Sequence, residues 1–369
     1  MELMQASKQW SSRPEDERFL TLPDMLKHFQ DVYDCSRAMT ESSRKINLIP
    51  LDNDKSHKAM VVQAGKYEQQ VCPTHWAFGQ LATLAGAPAG YLRKLPAPIA
   101  ADNLNYGMKF LRDVEDVGIL LHEGKEIVTM RAATGSRYGR IWNKDILSGM
   151  VRLFGDGVSG DWKVPGEWGK DVVVNERNTT LFASDQDMFV FLADEKHKIE
   201  VPGRRDGKSG LMSRGFFIWN SEVGDCTFGI STFLFDFVCG NRIVWNAQNV
   251  KEIRIRHTAG APDRFLEQLQ PALNSYANGS DSNILEAIES ARAKRIGKDS
   301  EEVAEFLANR FTKSQTTAMM KAHEIEEGRP VETLWDAATA ATAFARSIPN
   351  QNNRVEVERE AGKILELAK

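Results

Sequence analysis

The sequence is poor in cysteine: its 369 residues hold four, Cys35, Cys72, Cys226 and Cys239, with no CxxC pair. That excludes a disulfide-stapled scaffold and a zinc ribbon, and it fits reduced thiols. A long apolar run is also missing. The most apolar stretch, residues 226–239, is broken by Ser231, Thr232 and Asp236 and is too short to cross a bilayer as a helix. The first 20 residues hold no apolar signal core, and Glu15, Asp16 and Glu17 would interrupt one. A cytoplasmic protein without membrane contact is the expectation. Glycine (27) and proline (13) are too sparse for a collagen-like or linker protein. No excess of one charge exists either. The net charge is −4, which excludes a histone-like protein.

What is present suits a globular chain with a substantial core: 42% hydrophobic and 27% charged residues. Leu22, Leu26, Phe29 and Tyr33 recur at helical spacing, and the spacing predicts a helix over 21–39 with Pro23 in its first turn. Around INLIPL and AMVVQA, residues 43–64 read as extended. Thr74 is a candidate N-cap for a helix that Gly86 ends and Pro88 cannot continue. Shorter helices are expected in GYLRKLP and IAADNLNYGMKFL. GILL and KEIVTMRAAT have strand composition, and NKDILSGMVRLFG reads as a helix opened by Asn143 with Ile146, Met150 and Leu153 on its apolar face. From 161 to 257 the chain is aromatic and β-branched, with hairpin turns at Gly224-Asp225 and Gly240-Asn241. After 263 helical stripes return: Val303, Phe306, Leu307 and Phe311, then Trp335, Ala338, Ala341, Thr342 and Ala345. The expected fold class is therefore α+β. It has a helical N-terminal part with short strands (1–116), a central, mostly antiparallel β-rich core with a helix (117–262) and a helical C-terminal part (263–369).

Two nucleotide motifs almost form. Residues 155–160 (GDGVSG) match GxGxxG in letters, but a helix precedes them and no helix follows, so a turn is expected. Residues 202–209 (PGRRDGKS) have Pro202 where a P-loop needs glycine, and a strand follows. A mobile basic hairpin tip is the better reading. Cys72 and His75 alone cannot complete a tetrahedral metal site. No cofactor is expected.

Charge is unevenly placed. Residues 131–144 carry +4, residues 201–214 carry +3 and residues 251–257 carry +2, so +9 sits in 35 residues and the other 334 carry −13. Segment 131–144 (RAATGSRYGRIWNK) interleaves Arg131, Arg137, Arg140 and Lys144 with Tyr138 and Trp142. Cations that neutralise phosphate, with rings that stack bases, are the chemistry of single-strand binding. Arg204, Arg205 and Lys208 would form a mobile clamp, and Arg254 and Arg256 the charged face of the strand EIRIRH. The bland alternative puts Tyr138 and Trp142 in the core with a solvated rim of arginines. Asn220, Ser221 and Glu222 could form a ligand or acid/base site. Turn chemistry favours a structural role instead, with Asn220 and Ser221 capping a hairpin and Glu222 paired with an arginine.

RAATGSRYGRIWNKDIL, RGFFIWNSEVGDCTFGISTFLFDFVCGNRIVW and RHTAGAPDRF, in that order, resemble the phage/plasmid-like protein family known as domain of unknown function 932. THWAFGQLATLAGAPAGYLRKLP and LWDAATAATAFARSIPNQNNRVEVEREAGKIL extend the resemblance to roughly residues 70–365. It implies no catalytic residues. It implies a setting of phages, prophages and conjugative plasmids in a bacterial host, near genes for DNA handling. Three strands followed by helices, with arginine and aromatic residues, are also similar in outline to phage single-strand annealing proteins. The leading expectation is a homo-oligomeric single-stranded DNA-binding protein for annealing and recombination, without catalysis. The alternatives are a phage effector that binds a host protein, and an enzyme that uses Glu222.

Overall fold

A computed structural model describes residues 17–52, 59–67, 69–164, 173–176, 179–201, 210–236, 241–243, 253–277, 282–345, 347–348 and 351–368. Helices lie towards both ends, and two sheets lie between them. The α+β expectation holds.

The first helix, Leu22–Asp34, starts where Thr21 accepts from the Asp24 amide at 3.2 Å and buries Leu22, Met25 and Phe29. It stops earlier than its apolar spacing predicts. Residues Ser36–Ser42 form a strand instead, paired antiparallel with Asp116–Glu123 from Ser36↔His122 to Ser42↔Asp116. Pairing with a distant strand overrides local periodicity here. Thr74 caps the helix His75–Ala85 through the Ala77 amide at 3.1 Å, and Gly86 ends it at φ 70°.

The smaller sheet has six strands in the order Ser36–Ser42, Asp116–Glu123, Val128–Gly135, Val71–Pro73, Met60–Ala64, Ile46–Pro50. All its pairs are antiparallel except Val71–Pro73 with Val128–Gly135. Its strands come from both sides of residue 116. One face buries Ile46, Leu48, Val62, Ile119 and Met130 against Phe78 and Leu81 of the capped helix and Leu104 of Ala97–Tyr106.

The larger sheet is antiparallel and built on three long strands, Met188–Asp194, Gly210–Asn220 and Phe228–Asp236. Gly224, at φ 90°, lies in the turn between the last two. Side chains alternate across the pleat. Val190, Leu192, Phe216 and Ile218 meet Leu22, Phe29, Met150 and Phe265 from the helices Leu22–Asp34, Asn143–Phe154 and Ala261–Ala277. On the opposite face the rings of Phe189 and Phe191 lie 5.6 and 5.3 Å from that of Phe217. Gly229 pairs with Trp219, and a Cβ at Gly229 would fall 2.1 Å from the indole, so only glycine fits. Met212 and Leu234 at the other end of the sheet join the C-terminal helices. Leu334–Ala345 is buried among those helices, and its alanines permit close approach.

A small apolar patch joins the two sheets. Leu120 and Ala132 of the smaller sheet meet Val223, which follows Gly210–Asn220, with Trp76 and Trp142 packed around them. This junction positions the candidate site. Among the described residues no helix is long and apolar enough to cross a membrane.

Candidate nucleic-acid interface

Residues 136–142 run from the strand Val128–Gly135 of the smaller sheet to the helix Asn143–Phe154 on the larger one. The basic aromatic segment therefore straddles the junction, and its members divide into an inner and an outer set.

The inner set begins with Arg131, 8% exposed, whose guanidinium lies 3.0 Å from the Glu222 carboxylate, itself 2% exposed. The second Glu222 oxygen accepts from the Asn143 amide at 2.9 Å, where a helix N-terminus favours negative charge. Asn220 donates to Ile141 O at 2.8 Å and to Asn143 Oδ1 at 2.7 Å. Ser221 donates to Gln186 O at 2.6 Å and accepts from the Asp225 amide at 2.9 Å. Val223 O accepts from Trp76 Nε1 and Gln80 Nε2, and Gln80 Oε1 accepts from the Ala133 amide. Asn220, Ser221 and Glu222 thus tie both sheets to the helix. Their groups face protein, and buried polar contacts of this kind fix a junction.

Arg140 lies between two rings, 5.2 Å from the centroid of Tyr138 and 5.6 Å from that of Trp142. Burial pulls its pKa below the usual arginine value. Trp142 also meets Tyr33 edge-on at 4.8 Å. Lys144 sits 4.2 Å from the Tyr33 centroid and pairs with Asp145 at 2.8 Å.

The outer set faces an open cleft of about 760 Å³ lined by Glu115, Asp116, Gly135, Ser136, Arg137, Tyr138 and residues 257–260. Tyr138 forms its inner wall. The Tyr138 hydroxyl donates to Ser221 O at 2.8 Å, and its ring stacks on His257 at 4.8 Å. Burial pushes the Tyr138 phenol up, so it stays protonated. Gly139 holds the two chain segments together. Its amide donates to His257 O at 3.2 Å, and a Cβ there would meet Thr258 O at 1.9 Å. Arg137 is exposed at the cleft, and no carboxylate among the described residues pairs with it. Arg254 and Arg256 are exposed on and just after the strand Ile253–Ile255, which leads into the cleft residues.

Two of the three basic segments therefore meet, at Tyr138 and Gly139 of the first and His257 at the end of the last, whose residues 251 and 252 lie outside the described residues. The third does not enter the comparison: Arg204, Arg205 and Lys208, with the P-loop-like letters, lie outside the described residues, as does Gly240 of the second turn. GDGVSG forms a turn in which Asp156 Oδ1 accepts from the Val158 and Ser159 amides, followed by the strand Trp162–Lys163. Among the described residues no three His, Cys, Asp or Glu side chains cluster as metal ligands. The cleft residues His257, Thr258, Glu115 and Asp116 carry no local motif. His257 and Thr258 fall within RHTAGAPDRF, which carries part of the family resemblance, and Glu115 and Asp116 fall within no such stretch.

Burial, the largest cause, lowers the His257 pKa to about 4, and nearby Arg140 adds to this. The histidine is then neutral in the folded protein at pH 7. A depressed folded pKa contributes stability that is present above about pH 6.5 and is lost as pH falls towards 4. Unfolding midpoints should drop over that window by more than in His257→Gln. Parallel pH profiles of the two proteins would contradict the burial argument.

A mixed α+β chain with two joined sheets and an open cleft at their junction is the class that the fold defines. A family model described as "Domain of unknown function (DUF932)" matches residues 134–357, more than half of the chain, and the chain belongs to that family. The match begins at the end of the strand Val128–Gly135, so it does not include the resembling residues 74–96. No curated protein and no solved structure matches significantly.

Proposed function

We propose that this protein binds single-stranded DNA in the junction cleft and serves strand annealing or recombination for a phage or plasmid in the bacterial cytoplasm, as a homo-oligomer. The observation that carries this reading is the meeting of two distant chain segments at one open cleft: Arg137 and Tyr138 with His257–Gly260, the latter directly following the strand that carries the exposed Arg254 and leads through the exposed Arg256. The mixed lining suits a single strand. Arginines take phosphates, and the carboxylates of Glu115 and Asp116 accept from exocyclic amines that a duplex keeps paired. Annealing needs no bond chemistry, only strands held with their base edges free. The half-buried Tyr138 then shapes the wall, with Arg140 packed against its ring, and the exposed arginines make the contacts.

Arg137→Ala tests this. Fluorescence anisotropy with a labelled oligonucleotide should show weaker binding and a log Kd against log salt slope shallower by about 0.7, the value for one lost contact to a single strand. An unchanged affinity and slope would remove the cleft from the interface.

A further inference from the structure

A second opening, of about 850 Å³, lies on the smaller sheet, and its lining includes Arg37, Glu41, Arg44, Lys45, Lys66 and Tyr67. Four cations face one lining carboxylate. The residues are far apart in sequence. Arg37 stands on an edge strand, Arg44 and Lys45 on the short turn Ser43–Lys45, and Lys66 and Tyr67 just after Met60–Ala64. Strand pairing alone brings them together. Arg37, Arg44, Lys45 and Lys66 are exposed.

The local chemistry is built around an aromatic ring. The Arg37 guanidinium lies 5.3 Å from the Tyr67 centroid and 3.5 Å from Glu123, and the Tyr67 hydroxyl donates to Glu123 at 2.9 Å. Glu41 faces Lys45 at 3.6 Å and packs against Gly65, whose Cβ position would collide with the carboxylate. Both acids are thereby engaged. Among the described residues no carboxylate pairs with Arg44 or Lys66. An open groove with an excess of cations and a half-buried ring matches the recognition of a charged backbone with stacked bases.

This groove adjoins the cleft. Ser42 pairs with Asp116, and the Ser43 amide donates to Glu115 O at 2.9 Å. Glu115 and Asp116 line the cleft, while Glu41, Arg44 and Lys45, on either side of Ser42 and Ser43, line the groove. One turn of chain separates the two.

We propose that the groove binds the sugar-phosphate backbone of the same single strand, as a second subsite with Arg44, Lys45 and Lys66 on phosphates and Tyr67 beneath a base. The inference rests on the cleft reading above. It gives the strand a path from Arg137 over the Ser43–Lys45 turn to Tyr67.

The test is anisotropy with a labelled 40-nucleotide single strand at about 50 to 200 mM salt, for the wild type, Arg44→Ala/Lys45→Ala, Lys66→Ala and Arg137→Ala. The double variant should bind about tenfold or more weakly at the low-salt end, with a slope shallower by about 1.4, and Lys66→Ala by about half that slope change. All three residues are exposed, so unchanged far-UV circular dichroism is expected. If both groove variants bind as the wild type does while Arg137→Ala is weakened, the groove proposal falls and the cleft reading stands. If the groove variants are weakened and Arg137→Ala is not, the cleft reading falls, and the groove's role as a second subsite for the same strand falls with it. A wild type that ignores the oligonucleotide but binds labelled polyglutamate overturns both.

Discussion

Glu222→Gln should destabilise the protein by about 3–5 kcal/mol, the usual cost of removing one partner from a buried ion pair. Glutamine keeps the shape and can still accept from the Asn143 amide. It removes the charge that compensates the buried Arg131, which is only 8% exposed. The Asn143 contact also loses the charge that complements the helix N-terminus. Urea unfolding would measure the loss as a lower midpoint with little change in slope. The experiment also separates two roles. An acid/base residue replaced by its amide would lose activity and keep its stability. A loss below about 1 kcal/mol would show that the Arg131–Glu222 pair does not hold the sheets together.

Reversing charge at the cleft should have the largest effect on binding. Arg137→Glu with Arg256→Glu replaces two exposed cations by anions, one in the cleft with Glu115 and Asp116 and one directly before the cleft residue His257. Two phosphate contacts vanish and two repulsions appear. Single-strand affinity should fall by about a hundredfold or more at low salt. Stability should change little, since surface substitutions stay within about 0.5 kcal/mol. Near-normal affinity in a folded double variant would place the nucleic acid elsewhere.

The sequence made the helices and the large sheet legible because their signals are local. Thr74 and Gly86 bracket a helix, and Gly224-Asp225 marks the turn between Gly210–Asn220 and Phe228–Asp236. Where tertiary pairing competes with periodicity, the sequence misleads, as at Ser36–Ser42. The same limit applies to charge. A count over residues 131–144 treats Arg131 and Arg137 alike, yet one is buried against Glu222 and the other faces the cleft. The sequence suggests that Glu222 pairs with an arginine. It cannot say which, because Arg131 lies 91 positions away on another sheet. The groove was invisible for a related reason. Its cations sit in ordinary stretches, with Glu41 between Arg37 and Arg44, and only the fold gathers them.

The most direct test of the central claim is anisotropy of the wild-type protein with labelled single- and double-stranded oligonucleotides of one sequence, at about 50 and 200 mM salt. The account predicts that the single strand binds more tightly than the duplex and that its affinity falls steeply with salt. Absence of single-strand binding at the lower salt, or equal binding of both forms, would contradict it.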